Sequence, residues 1–406
     1  MPQKLTVAQS FQKFLTNLNP TEKQRQQIQT TRETIDNALA TDHRIFLHTQ
    51  KQPSFLTGSY SRGTIIRPID DIDLYVRVNY GEHGKDKSPR SILLLMAAAL
   101  KKRYPNNTKV TVDSPCIVVS FSGYKFEVAP VVCYEDNADL YDIPAPGSKS
   151  WMPCYPHVPS KWLSSCNYKN HNIFIPLIKF LKEWNRANKV GLKSFHLELL
   201  TAKVFGSVTE IYSYPQGIFD WMYCVRDWFW ENDYPFIEEP GHKYKFVDDY
   251  IYEKKFRLRV IRNKMDAALK TAERAHDFYL KGRNIIAIRI WRTLFGSMFP
   301  SPAPQPSSKP ILAPPRQSPV PTLRNAMSLQ QPAAGLMGGG YRNAMRNALL
   351  NPQPKLSDIA SDINRNAMRN ALLNPQLKLS DIAVSDKNTN FLIGLLTNSN
   401  DPFKKD

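Results

Sequence analysis

The sequence predicts an α/β protein: a mixed sheet flanked by helices, then a helical C-terminal lobe and a disordered tail. Three observations carry this prediction. Short runs of alternating apolar residues recur between Phe55 and Val132, each bounded by Gly, Pro, Asn or Asp. From Asn172 the apolar spacing turns helical, and after Pro300 ten prolines fall within residues 300–332.

Taken in order, residues 7–18 and 22–40 read as two helices. Thr21 and Gln24 make a capping box for the second, whose apolar face is marked by Ile28, Ile35 and Leu39. A strand, a Gly-Ser turn and a second strand follow in FLTGSYSRGTIIRPIDDIDLYVRV, residues 55–78. Residues 89–103 form a helix ending on Lys101, Lys102 and Arg103, charges that suit a helix C-terminus. Strands at 108–113, 116–121 and around Glu127 complete the sheet, with the acids expected to converge at one edge. Residues 133–165, rich in proline and aromatics, read as loop. Helices return at 172–189 and 253–281.

The chemistry concentrates in the second strand of the 55–78 stretch. Side chains alternate faces along a strand, so Asp71 and Asp73 point one way while Ile72 and Leu74 enter the core. Two carboxylates so close repel each other unless a cation lies between them, and a hard divalent ion suits that oxygen pair. Upstream, Gly58 and Ser59 let a backbone N–H and a hydroxyl approach a phosphate closely. Each half has a plain structural reading, as solvated strand acids or as a simple turn. Together, as G-S-x11-D-x-D, they point to nucleotidyl transfer. Glu127, in YKFEVAPVV, supplies a third acid; by itself it reads equally as an exposed strand carboxylate.

The chain has 406 residues, 42% of them hydrophobic, and a net charge of +18, of which +12 falls in residues 1–300. A basic body suits polyanionic ligands, nucleoside triphosphates or nucleic acid. Five cysteines at irregular spacings without a C-x-x-C, no leader-like apolar segment at the N-terminus and no span-length apolar run predict a cytoplasmic protein without membrane contact. Cys154, His157, Cys166 and His171 are spaced C-x2-H-x8-C-x4-H, which matches no zinc pattern.

The combination G-S-Y-x-R-G-T-x2-R-P-x2-D-I-D, then F-E-V-A-P, resembles the bacterial CD-NTases, relatives of cyclic GMP-AMP synthase and oligoadenylate synthetase. K-x-W followed by S-F-H-L-E is similar to that family's second half, and the likeness runs over roughly residues 5–300. Glu127 stands where many members have aspartate, which lengthens the reach and keeps the charge. The resemblance implies a polymerase-β-like nucleotidyltransferase fold. It also implies a synthase that joins nucleoside triphosphates into a cyclic oligonucleotide second messenger in antiphage defence of the CBASS type. On this reading Asp71, Asp73 and Glu127 hold two Mg²⁺ ions, with Mn²⁺ able to substitute. Lys182 and Ser194 hold the triphosphate with Gly58 and Ser59, and Phe195 stacks on a base. Lys179, three residues before Lys182, is left as solvated surface.

Two other readings compete. A template-independent RNA nucleotidyltransferase shares the fold and the acids, but needs basic residues interleaved with exposed aromatics. FDWMYCVRDWFW at 219–230 is aromatic and nearly uncharged, which counts against it, so nucleic acid is not required. A catalytically dead nucleotide-binding scaffold would not need all three acids.

The expected division is a catalytic lobe at 1–165, a helical nucleotide-binding lobe at 166–300, a Pro-rich linker at 301–341 and a tail at 342–406. RNAMRNALLNPQPKLSDI at 342–359 recurs at 365–382 with 17 of 18 positions identical, a duplication that can serve as docking segment for an effector or regulatory protein. A segment this poor in large apolar residues cannot offset its ordering entropy by burial. A chain ending at Pro300 is therefore expected to fold and to make the same product as full length. Lost synthesis with a folded core would make the tail part of the enzyme.

Overall fold

The two N-terminal helices and the helix at Pro89–Arg103 begin where the caps lie. In the computed structural model, α1 (Val7–Leu18) and α2 (Glu22–Ala40) each start on a complete capping box, Thr6 with Gln9 and Thr21 with Gln24. Ser88 caps α5 (Pro89–Arg103), and Pro89 takes the first position, where no intrahelical N–H is needed. The structure describes residues 5–49, 51–83, 88–105, 108–134, 139–205, 211–231, 237–240, 246–253 and 255–302. The Pro-rich linker beyond Pro302 and the tandem repeat lie outside the described residues.

The strands are β1 (Ser54–Leu56), β2 (Asp71–Val78), β3 (Lys109–Asp113), β4 (Cys116–Phe121), β5 (Tyr124–Cys133), β6 (Tyr141–Pro144) and β7 (Trp151–Cys154). They form one mixed sheet in the order β1-β2-β5-β4-β3, with β6 and β7 continuing from β5. The β2–β5 pair is parallel; the other pairs are antiparallel. Between β1 and β2 the chain makes a single helical turn, α3 (Gly58–Ser61), and after β2 another, α4 (Tyr80–His83).

One face of this sheet is dry. Ile72, Leu74, Val76 and Val78 of β2, with Phe126 and Val128 of β5, are fully buried in one cluster with Ile28, Ile35 and Leu39 of α2 and Ile92, Leu93, Met96 and Leu100 of α5. Burying each large aliphatic side chain stabilises by about 1.5–3 kcal/mol relative to exposure, so the alternation of β2 fixes which face its acids occupy.

The remaining helices are α6 (His157–Lys169), α7 (Phe174–Ala187), α8 (Ser194–Phe205), α9 (Tyr214–Glu231), α10 (Asp249–Tyr252), α11 (Lys255–Leu280) and α12 (Asn284–Phe295), with a final 3₁₀ turn Gly296–Met298. Their core is aromatic: Phe180 of α7, Trp291 and Phe295 of α12, and Phe299 meet edge-on, tilted or stacked at 5.0–6.4 Å around Phe11 and Phe14. Helix α1 therefore packs on the C-terminal helices, although it opens the chain.

Two expectations are corrected here. The 133–165 stretch is not loop: it holds β6, β7 and the start of α6. Its alternation is masked by Pro144, at the end of β6, and by Pro153 in β7, which pairs only with β6, positions where a missing N–H costs little. The acids do not converge at an edge; β2 and β5 are neighbours inside the sheet.

Candidate active site

Register decides the site. In the parallel β2–β5 ladder Asp73 lies opposite Glu127, and Asp71 opposite Lys125. The carboxylate oxygens of Asp71, Asp73 and Glu127 all come within 4.8 Å of one another, on the face away from the dry core. Among the described residues no other trio of His, Cys, Asp or Glu does so; Cys154, His157, Cys166 and His171 do not gather. All five cysteines are free thiols.

Three carboxylates this close carry uncompensated charge. Burial, then Asp71 and Glu127, push Asp73 up to about 6. Burial, then Glu127 and Asp70, raise Asp71 as well. Lys125 answers part of this: its Nζ donates to Glu127 Oε1 at 2.7 Å. Burial and the neighbouring Glu127 also push the Cys116 thiol up to about 12, so this cysteine stays protonated beside the acids. A set of hard oxygen donors with excess negative charge fits a hard divalent cation.

These shifts set a pH dependence with a definite sign. The unfolded Asp73 titrates near 4 and the folded one near 6, so between those values the folded metal-free chain binds the extra proton. Its contribution to stability is then lost as pH rises through that window. The metal-free protein is expected to unfold at lower temperature at pH 7 than at pH 5, and Asp73→Asn to flatten the difference. An Asp73→Asn protein with an unchanged pH profile would contradict the assignment.

The turn before β2 is built against the acids. Thr57 donates its N–H to the Asp73 carbonyl at 2.9 Å, so α3 starts directly beside the carboxylate. Gly58 has φ +63°, and a Cβ there would stand 1.6 Å from Asp73 Oδ2. Only glycine combines that backbone with that approach. Ser59 is half-buried next to it, and its carbonyl accepts from the N–H groups of Thr64 and Ile65 at 3.0 and 3.1 Å.

The other predicted binding residues come from the helices. Ser194 is exposed at the first position of α8, and Phe195 beside it is half-buried with the Arg62 guanidinium 4.9 Å above its ring. Lys182 lies in the interior, its side chain 5% exposed, with Nζ donating to Glu198 Oε1 at 2.6 Å and Thr64 Oγ1 at 3.1 Å. Glu198, fully buried, also accepts from Thr64 Oγ1 and from Arg62 Nε, both at 2.6 Å. Burial alone would raise the Glu198 carboxyl, but Lys182 and Arg62 overcome it and hold Glu198 below the usual range. Removing one member of such a pair typically costs about 3–5 kcal/mol.

Lys179 is not a solvated lysine. It is half-buried, its Nζ donates to Asn19 Oδ1 at 2.6 Å, and burial, with Lys182 and Arg25 nearby, lowers it to about 8. The residue that ends α1 covers it, a contact 160 positions away in the chain.

Sequence reasoning did not assign Arg62, Thr64, Lys125 or Glu198. Arg62, Thr64 and Glu198 stand inside G-S-Y-x-R-G-T and S-F-H-L-E, yet nothing local says that the two motifs meet.

The acids, the glycine turn and the mixed sheet define a nucleotidyltransferase. Over residues 5–167 the chain matches the Second Messenger Oligonucleotide or Dinucleotide Synthetase (SMODS) domain. It is 24% identical over 323 residues to a cyclic AMP-AMP-AMP synthase from an Acinetobacter species, covering 75% of this chain and 88% of that one. Among solved structures, CdnC of Escherichia coli MS115-1 in complex with HORMA-deltaN superposes with a TM-score of 0.57 at 19% identity, over 72% of this chain and 98% of that one. The Vibrio cholerae cyclic AMP-GMP synthase DncV, holding the linear intermediate pppA(3′,5′)pG, gives 0.60 at 14%, over 73% and 98%. At these identities the two structures speak for the fold.

Proposed function

We propose that this enzyme takes ATP as a substrate and joins it, alone or with a second nucleoside triphosphate, into a cyclic oligonucleotide that serves as a second messenger in cytoplasmic antiphage defence. The observation that carries the site assignment is the in-register meeting of Asp73 and Glu127 beside Asp71. The cyclic AMP-AMP-AMP synthase relative and the ATP complex of CdnC support the choice of nucleotide.

In this reading Asp71, Asp73 and Glu127 hold two Mg²⁺ ions, or Mn²⁺ in their place. Such ions, when bound, make an acceptor hydroxyl a better nucleophile and stabilise charge on the triphosphate and leaving pyrophosphate. The Gly58 and Ser59 amides and hydroxyl take phosphate oxygens next to the acids, close because Gly58 has no side chain. Ser194 meets the phosphates at the N-terminus of α8, where free amides and the helix dipole favour an anion. Phe195 presents the ring face not covered by Arg62 to a base. Lys182 serves the phosphate grip from behind, through Thr64 and Glu198, since its amine is already bonded to both. Positioning and fixed charges of this kind supply most of the catalysis in phosphoryl-type transfers.

A HORMA-type regulatory protein is the partner class that the CdnC complex suggests, and the C-terminal repeat is the segment that would dock it. No helix among the described residues is long and apolar enough to cross a membrane.

The test is direct: incubate the protein with all four nucleoside triphosphates and Mg²⁺, treat with phosphatase and identify resistant products by mass spectrometry. A resistant cyclic product containing adenosine is expected. Pyrophosphate release with only linear products would favour the RNA-type transferase, and no release at all the inactive scaffold.

A further inference from the structure

Glu198 is a fully buried carboxylate that Lys182 and Arg62 keep ionised, and in the proposed function it touches no part of the nucleotide. It lies four residues after Ser194 and three after Phe195, so it shares their face of α8. Its carboxylate is the meeting point of three segments. Arg62 and Thr64 reach it from the turn that carries Gly58 and Ser59, and Lys182 reaches it from α7. Both carboxylate oxygens are engaged, Oε2 by Arg62 and Oε1 by Lys182 and Thr64. Arg62 then leaves the pair to cover one face of Phe195, and its charge also acts on Asp73.

A carboxylate with no solvent exposure is costly to bury, and well-packed apolar side chains of similar volume often match a buried ion pair in stability. What a salt-bridged centre supplies that an apolar contact does not is a fixed geometry: three bonds at 2.6 Å, from the Arg62–Thr64 turn and from α7, leave little freedom to slide. The segments it fixes are the two that, in the proposed function, hold one nucleotide together: Gly58, Ser59 and Ser194 at its phosphates and Phe195 at its base.

We propose that Glu198 is a positioning residue that locks the Gly58–Thr64 turn to the Ser194–Phe195 end of α8, setting the spacing between the phosphate-binding and base-stacking halves of the nucleotide site. The inference rests on the nucleotide-site reading of those two segments. Its physical content is a linkage effect: a ligand that bridges both halves gains from their fixed spacing, whereas a ligand that touches one half does not. Loosening the lock must therefore weaken a whole nucleotide far more than a fragment of it.

The experiment uses the full chain with Glu198→Gln, which keeps shape and removes the charge. Because that change leaves two interior cations without their anion, Arg62→Met carries the same test if Glu198→Gln does not fold; it cuts one arm and leaves the Lys182–Glu198 pair. For each variant whose thermal unfolding shows a folded protein, two affinities are measured by titration: for a non-hydrolysable ATP analogue with Mg²⁺, and for adenosine, which reaches Phe195 but none of the phosphate contacts. The lock predicts at least a tenfold loss for the analogue and less than a threefold loss for adenosine, with KM for ATP rising more than kcat falls. A folded variant with wild-type affinity for the analogue, or with equal losses for both ligands, overturns the lock and leaves the nucleotide site standing. A wild-type protein that binds neither ligand overturns the nucleotide-site reading itself, and the lock with it.

Discussion

Replacing Asp71 and Asp73 together by asparagine is expected to lower product formation by at least about a thousandfold, the scale on which a main electrostatic contribution is lost. Asparagine keeps the size of each side chain and removes the charge that recruits the cation. The fold should survive, and the metal-free variant should be more stable than the parent. Burial and mutual repulsion raise both carboxyls in the parent, so each ionised acid is a stability cost there. Product yield, thermal unfolding and Mn²⁺ binding followed by electron paramagnetic resonance check the three parts. Asp70 is exposed and precedes the strand, so Asp70→Asn serves as the neighbouring control with near-parental turnover. A double variant with parental turnover and unchanged unfolding would remove these two acids from the chemistry.

Gly58→Ala should rank next. The added methyl requires φ +63° of an alanine, at about 1–2 kcal/mol. It also points a carbon at Asp73 Oδ2, 1.6 Å away, so either the turn or the carboxylate must move by an ångström or more. Displacements of that size at a reacting centre typically cost about a hundredfold in rate. Turnover is therefore expected to fall by roughly that factor, while the unfolding temperature drops only a few degrees. Gly63→Ala is the comparison: its φ is +69° but a Cβ there meets nothing within 4 Å, so it carries the backbone cost without the collision. Equal activity losses in the two variants would show that backbone strain, and not the approach to Asp73, is what Gly58 is for.

The parts of this protein that sequence alone determined are those written in local pattern. Thr21 with Gln24 starts α2, and alternation in DIDLYVRV buries Ile72 and Leu74 and turns Asp71 and Asp73 to the other face. The motif G-S-x11-D-x-D could be read as phosphate-and-metal chemistry because each residue type has a physical reason to be there. Proline content hid β6 and β7, since propensity treats every proline as a break while a strand end or a strand paired on one side tolerates it.

The tertiary structure decided what depends on partners far away in the chain. Glu127 is an unremarkable strand acid until the parallel β2–β5 register sets it opposite Asp73. Two lysines three residues apart on α7 look alike in sequence, yet Lys182 enters a buried carboxylate pair and Lys179 meets Asn19 at the end of α1. Helix α1 joins the aromatic core of the C-terminal helices because Phe11 and Phe14 find Phe180, Phe295 and Phe299 there. Local pattern sets which face of an element is apolar or charged; which element meets that face is fixed only when the whole chain closes its cores, and here that closure joins the Arg62 turn to Glu198.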